Sequence, residues 1–311
     1  NTMEHQKIQA GSVDELVLHA PAKLNLSLAV LDRRQDGFHE IESLMVPVSV
    51  SDQLHVCRAP AGVFSLEVTF AGKLGCDPGQ SLARDVPDDG SNLVLRAARL
   101  LAERTNCDAG LTIRLNKHIP SGAGLGGGSS DAAATFLAAA KLWNLDWSLD
   151  QLATLSAELG SDIPWFFAGM AGVVGGRGEQ VVPVEGIPAY DVVIACPSEG
   201  LSTAHVYAAC KPEAHRRDEA SSLATVLQSG LLRQALPLMH NSLQQPAQQL
   251  APAVDQLLSD MVAADAFHPI LTGSGSACFS LCRTTHEAKQ LATSLEAAGW
   301  PYVVATRLVP G

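Results

Sequence analysis

The sequence contains no Cys-x-x-Cys pair, no apolar run long enough to span a membrane, and no excess of positive charge. Each absence closes off a class of protein. Cysteines are present at Cys57, Cys76, Cys107, Cys196, Cys210, Cys278 and Cys282, seven in all and irregularly spaced. An odd, irregular set fits neither a disulfide framework nor a zinc site, and reads as reduced thiols in a reducing compartment, the cytoplasm. Asn1 to Gly11 is polar and lacks the apolar core of a secretion signal. A membrane span needs about 20 consecutive apolar residues, and no such stretch occurs. Asp and Glu number 32 against 21 Lys and Arg, a net charge of −11. The mean field therefore repels polyanions and argues against a nucleic-acid groove. A small anion can still bind where the chain supplies local donors. There is no internal repeat.

What is present is an ordinary globular mixture, 47% apolar and 17% charged over 311 residues. That length allows one large domain or two ordinary ones. Alternating patterns predict strands over 13–19, 23–31, 45–50, 53–57 and 63–70, the first ending at Ala20-Pro21. In the second of these, Lys23, Asn25 and Ser27 share a polar face. Residues 72–90, rich in Gly, Pro and Asp, read as a loop. Ser91 is the expected cap of a helix carrying Leu93, Val94, Ala97, Ala98, Leu100 and Leu101. Strict alternation gives a strand over 111–117, followed by an alanine-rich helix over about 130–143. Ser148 and Gln151 form a capping-box pattern for a helix stopping at Gly160, and 172–174 with 180–184 read as a hairpin. Further on, strands are expected over 191–196, 270–272, 277–282 and 302–308. Helices are expected over 204–209, 222–227, 250–264 and 286–298. Helices and antiparallel pairs mix in both halves, so the expected class is α+β, in two domains, 1–186 and 187–311.

The strongest chemical signal is Lys117-His118-Ile119-Pro120-Ser121-Gly122-Ala123-Gly124-Leu125-Gly126-Gly127-Gly128-Ser129-Ser130-Asp131. Five glycines between a strand and a helix let the backbone turn with positive φ and approach a ligand closely. Successive N–H groups can then form a nest for oxyanions, to which the helix start adds free donors and a positive dipole end. Ser129 and Ser130 add hydroxyls, one within reach of a magnesium ion. No Gly-Lys-Ser/Thr follows, so this is not a Walker A loop. Nor is there a βαβ unit with the later acidic residue of a dinucleotide fold. Three weaker segments accompany it. Lys23 alone reads best as an exposed strand lysine. Asp162, in Gly160-Ser161-Asp162-Ile163-Pro164, serves equally as the cap of a short helix or as a catalytic carboxylate. Leu271-Thr272-Gly273-Ser274-Gly275-Ser276-Ala277 alone is a hairpin turn. Their joint occurrence is what points to phosphoryl transfer.

Pro21-Ala22-Lys23-Leu24-Asn25, the loop 120–130 and the segment 271–277 resemble the three motifs of the GHMP small-molecule kinases. Within that superfamily the sequence is more similar to the branch whose acceptor is 4-diphosphocytidyl-2-C-methyl-D-erythritol. Arg34-x-Asp36-Gly37-Phe38-His39, the Gly124–Ser130 core and Gly160-Ser161-Asp162-Ile163-Pro164 follow that branch's pattern, and the likeness runs from about Val17 to the last strand. The resemblance implies an N-terminal, ATP-binding domain like ribosomal protein S5 domain 2 and a ferredoxin-like C-terminal domain. It implies ATP as co-substrate, Mg2+, and phosphorylation of the acceptor's 2-hydroxyl in the non-mevalonate isoprenoid pathway. It further implies Asp162 as general base and Lys23 beside it. ATP would lie on the loop from Pro120 to Ser130, with Asn92 and Lys117 near adenine and ribose. Phe38 and Tyr207 would sandwich the cytosine ring and His39 would bond its edge. Asn25, Thr203, Gly273 and Ser274 would line the acceptor side, and Ser130 is the candidate metal ligand. The alternatives are another GHMP kinase, of homoserine or mevalonate type, or a nucleotide-binding protein without catalysis. Three positions depart from the pattern: Phe38 replaces tyrosine, Asn241-Ser242-Leu243 stands where Asn-Asp-Leu is expected, and 72–90 is longer.

Overall fold

The alternating segments of the first sixty residues join into two long strands. The structure, a computed structural model, describes residues 9–10, 14–74 and 86–310. After the short β1 (Gln9–Ala10), β2 (Glu15–Arg33) runs unbroken through Ala20-Pro21, where an end was expected. It pairs antiparallel with β3 (His39–Ala59), which likewise merges two expected strands. A register shift between Pro21 and Lys23 lets the ladder pass a residue that has no N–H to donate. β3 is long enough to hold different partners along its other edge. β5 (Gly110–Lys117) pairs with its second half, and β6 (Gly172–Gly176) with its first. β4 (Phe64–Phe70) adds parallel to β5, and β7 (Gln180–Pro183) closes the expected hairpin with β6. Together they make a seven-stranded sheet.

Helices α1 (Leu93–Thr105), α2 (Gly127–Leu142), α3 (Leu149–Ser156) and α4 (Ile163–Ala168) cover one face of this sheet. Ala132, Ala133, Ala134, Ala138 and Ala139 are fully buried, and their short side chains let α2 lie close to α1 and the strands. Asn92, not Ser91, caps α1: its Oδ1 accepts from Val94 N at 2.9 Å, while the Ser91 hydroxyl is turned to Asp89. The Ser148–Gln151 capping box forms as expected, but α3 gives way to turns after Ser156, short of Gly160. α2 begins at Gly127, inside the triple glycine and three residues earlier than the alanine pattern indicated.

The second half builds a four-stranded antiparallel sheet in the order β11-β8-β10-β9, from β8 (Asp191–Cys196), β9 (Ile270–Leu271), β10 (Cys278–Cys282) and β11 (Tyr302–Arg307). The helices here are α5 (Thr203–Ala209), α6 (Glu219–Gln228), α7 (Leu232–Ala235), α8 (Gln244–Leu250), α9 (Pro252–Ala263) and α10 (Thr285–Ala297). α9 and α10 pack on the sheet. The expected helix 250–264 starts at Pro252, because extended Ala251 separates it from α8. α+β character thus holds in both halves. The two sheets share a core in which Leu24, Leu26 and Val46 meet Val192, Ile194 and Phe279. Val309 N also donates to Pro47 O at 2.9 Å. Of the expected loop 72–90, Gly72–Leu74 is a single 3-10 turn; residues 75–85, with Cys76, lie outside the described residues, as do Val13 and most of 1–11.

Candidate active site

The glycine-rich loop connects β5 to α2 with its side chains sorted by face. Ala123 and Leu125 turn into the shared core, while Gly122, Gly124 and Gly126 line a cleft. These three adopt φ of +66°, +78° and +71°. Two of them are required by close approach as well. A Cβ on Gly124 would stand 2.3 Å from Thr272 O, and one on Gly126 would stand 2.9 Å from Lys23 Cγ. Gly126 is also the N-cap of α2 and has no side chain to satisfy the first-turn N–H groups, so the first helical bond is Ser130 N to Gly126 O. The uncapped donors and the dipole end are what an anion needs.

The bulge after Pro21 turns Lys23 N toward the loop, where it donates to Leu125 O at 2.9 Å. The Lys23 side chain is not on an exposed strand face: it is 3% exposed, because the loop and the turn at Gly273 cover it. Its ammonium donates to Asn25 Oδ1, and Asn25 Nδ2 donates to Ser43 Oγ at 2.7 Å. Asn25 N donates to Thr272 Oγ1 at 3.0 Å. Burial lowers the Lys23 pKa from its ordinary value, and the charge of Asp162 offsets part of that fall. Asp162 stands at the N-cap position of α4, yet its side chain makes no capping bond. Its carboxylate instead lines the cleft with Lys23. Of its two sequence readings, the capping one is not realised.

The cleft has a volume of about 940 Å³ and gathers Lys23, Asn25, Asp162, the open glycines of the loop, and Phe38, His39 and Tyr207. The aromatic rings make contacts of their own. Tyr207 lies against His39, with ring centroids 5.2 Å apart, and Phe38 lies under the guanidinium of Arg177 at 3.8 Å. Burial raises the Tyr207 hydroxyl pKa, and the charges of Asp162 and Cys210 add to the rise. Thr203 and Ser274 also line the cleft and share a hydrogen bond of 2.9 Å, and Gly273 packs directly on Gly124 and Lys23.

Two expected ligands make bonds within the protein, and a third is enclosed without a partner. Lys117 is 3% exposed and bridges Asp52 and Asp131 in an internal clamp. Burial acts to lower its pKa, and pairing with Asp131 and Asp52 more than reverses this. Asn92 spends its side chain on the α1 cap and on Pro87 O. Ser130 is fully enclosed, and its Oγ has no hydrogen-bond partner. Sequence reasoning missed Ser43 and gave Thr272, Asn241 and Arg177, present in its motifs and hairpin, no role of their own. Asn241 Nδ2 donates to both Leu271 O and Gly273 O and so fixes the second glycine turn. Ser242, next to it, accepts from Val30 N and donates to Glu213. An aspartate there would face the Glu213 carboxylate, which accounts for the departure at this position. A second cavity, of about 790 Å³ between α9 and α10, holds Arg283 paired to Glu287.

Comparison with known proteins agrees with this geometry. The model of the GHMP kinases N terminal domain matches residues 92–170, and that of the GHMP kinases C terminal matches 206–300. The chain is 36% identical over 267 residues, 86% of its length and 88% of the relative's, to a 4-diphosphocytidyl-2-C-methyl-D-erythritol kinase of Bacillus cereus (strain AH187). A solved 4-(cytidine 5'-diphospho)-2C-methyl-D-erythritol kinase superposes with a TM-score of 0.76 at 32% identity, covering 95% of this chain and all of that one. The L. major mevalonate kinase, solved with R-mevalonate, superposes with a TM-score of 0.70 at 16% identity over 98% of each chain, a likeness of fold alone.

Proposed function

The chain belongs to the GHMP kinases, in the branch of the 4-diphosphocytidyl-2-C-methyl-D-erythritol kinases, and we propose from this membership and its cleft how its residues divide the work. It is an ATP-dependent small-molecule kinase that phosphorylates the 2-hydroxyl of 4-diphosphocytidyl-2-C-methyl-D-erythritol in the non-mevalonate isoprenoid pathway. The observation that carries this reading is the convergence in one cleft of an uncapped glycine loop, the Lys23–Asp162 pair and an aromatic cluster. The ordinary alternatives, a homoserine or mevalonate acceptor, give no use for that cluster.

Asp162 takes the proton of the acceptor hydroxyl as general base. The freed oxygen attacks the γ-phosphorus of ATP, the bond to the β–γ bridging oxygen breaks, and ADP leaves. Lys23, oriented by Asn25, lies beside Asp162 and favours the developing alkoxide. The N–H groups around Gly122, Gly124 and Gly126 and the start of α2 neutralise charge on the transferring group. In phosphoryl transfer, positioning and electrostatics of this kind dominate. Tyr207, His39 and Phe38 receive the base, with ring stacking selecting a flat heterocycle. Magnesium held with ATP would supply charge neutralisation at the phosphates. Among the described residues no group of three His, Cys, Asp or Glu could hold the ion alone. The Ser130 hydroxyl, unpartnered in the first turn of α2, would be the side chain to hold it. The six described cysteines are free thiols, which supports a cytoplasmic setting. The stretch between β7 and β8, around Gly186, supports a division into domains 1–186 and 187–311.

The test is a coupled ADP-release assay on 4-diphosphocytidyl-2-C-methyl-D-erythritol with magnesium. Turnover, with competition by cytidine nucleotides, is expected. A folded, pure protein that releases no ADP on this acceptor is not this kinase.

A further inference from the structure

Three cationic side chains reach the cleft, Lys23, Arg33 and Arg177. Lys23 is committed to Asn25 and lies at the reacting end. Arg177 stands at the tip of the β6–β7 hairpin, half-buried, with its guanidinium carbon 3.8 Å from the centroid of the Phe38 ring. Asp36 feels its charge through space, but among the described residues no ion pair within 4.0 Å involves it. The same turn also reaches the carboxylate. Gly178, one residue on at φ +127°, is so close to the base candidate that a Cβ on it would stand 3.3 Å from Asp162 Oδ1. One tight turn therefore spans from the aromatic cluster to the carboxylate.

A molecule with its base against those rings and its hydroxyl at Asp162 must carry its diphosphate between them, across this turn. We propose that Arg177 is a specificity-determining residue that binds the diphosphate of the acceptor, an inference that rests on the kinase reading above. The chemistry fits. A guanidinium presents parallel N–H donors that match two phosphate oxygens, and it stays charged at any working pH. Stacking on Phe38 fixes its plane while leaving the edge donors free for the ligand. On a chain of net charge −11, such a local cation is what offsets the general repulsion of a diphosphate. The diphosphate keeps its charge through the reaction, so Arg177 supplies binding equally to ground and transition states. Its loss falls on KM for the acceptor far more than on kcat.

The experiment compares wild type with Arg177→Ala and Arg177→Lys, measuring cytidine and CDP binding by calorimetry alongside steady-state kinetics. Arg177→Ala is expected to weaken CDP by about tenfold or more while leaving cytidine nearly unchanged. KM for the acceptor rises by the same factor and KM for ATP does not move. Arg177→Lys recovers part of the CDP affinity, since it restores charge without the fork. Equal weakening of CDP and cytidine overturns the proposal, because Arg177 then only backs the Phe38 ring. So does no weakening of either. A wild-type protein that binds neither ligand overturns the acceptor reading itself, and it is told apart because it appears before any substitution is made.

Discussion

Lys23 and Asp162 show how a site residue is set against the stability of the fold. An ammonium buried this deeply bears a desolvation cost that Asp162 only partly offsets, which is why its pKa lies below the ordinary value. The unfolded lysine titrates near 10.5. Below the folded pKa both states are protonated and the fold carries the whole cost; the cost is relieved only as pH rises through that value. Lys23→Met should therefore raise Tm at neutral pH, by roughly 2–4 °C for each kcal/mol relieved, while kcat falls steeply. Asp162→Asn should cut kcat by about 10²–10⁴-fold with KM largely kept, since it removes the base and little of the binding surface. Calorimetric melts and steady-state kinetics on the two variants check both. A Lys23→Met protein that melts lower than wild type, or an Asp162→Asn protein with near-normal kcat, contradicts the assigned roles.

At the scale of elements, the clamp of Lys117 between Asp52 and Asp131 ties the end of β5 and the first turn of α2 to β3, and so fixes both ends of the glycine loop. Asp52 Oδ1 also accepts from His118 N and Ile119 N, at 2.6 and 2.9 Å. Two carboxylates share one lysine here without solvent. Burial, opposed by Lys117 and reinforced by Asp52, pushes the Asp131 carboxyl up to about 8. Its unfolded counterpart titrates near 3.8. The folded state therefore holds an extra proton between these values, and the associated stability is full below 3.8 and lost as pH rises through about 8. Asp131→Asn keeps an acceptor for Lys117 and cannot ionise. Relative to this variant, wild type should lose stability across that window, by up to about 1.4 kcal/mol per pH unit. Urea melts of both proteins on either side of the window measure it, and parallel pH profiles would exclude the assignment.

The whole molecule is organised by a seam in which the two glycine turns lock together. Ala277 N donates to Ala123 O at 3.0 Å, and Gly124 lies so close to Thr272 O that no side chain fits. The seam joins a loop of the first sheet to a loop of the second, with Lys23 between them. Gly124→Ala meets both a positive φ and a backbone clash, a combined cost of about 1–3 kcal/mol or more. It should raise KM for ATP and for the acceptor together, whereas Gly122→Ala, with nothing within 4 Å of its Cβ, should be milder on every count. Denaturation midpoints and both KM values distinguish the pair of variants.

Local sequence determined much of this protein. Alternation at Leu111, Ile113 and Leu115 dictated β5, the Ser148–Gln151 pair dictated a capping box, and five glycines between a strand and a helix dictated a loop with positive φ at Gly122, Gly124 and Gly126. These depend on residues near in the chain, so their physics is written there. The sequence misjudged what depends on distant partners. Pro21 does not end a strand, because β3 supplies a bulge opposite it. Lys23 is not exposed, because the turn at Gly273, some 250 residues on, covers it. Lys117 is clamped between Asp52 and Asp131, and Arg177 reaches Phe38 only because β6 pairs with the first half of β3. Burial and ion pairing are properties of the packed chain, and only the tertiary structure decided which charges line the cleft and which are spent holding it together.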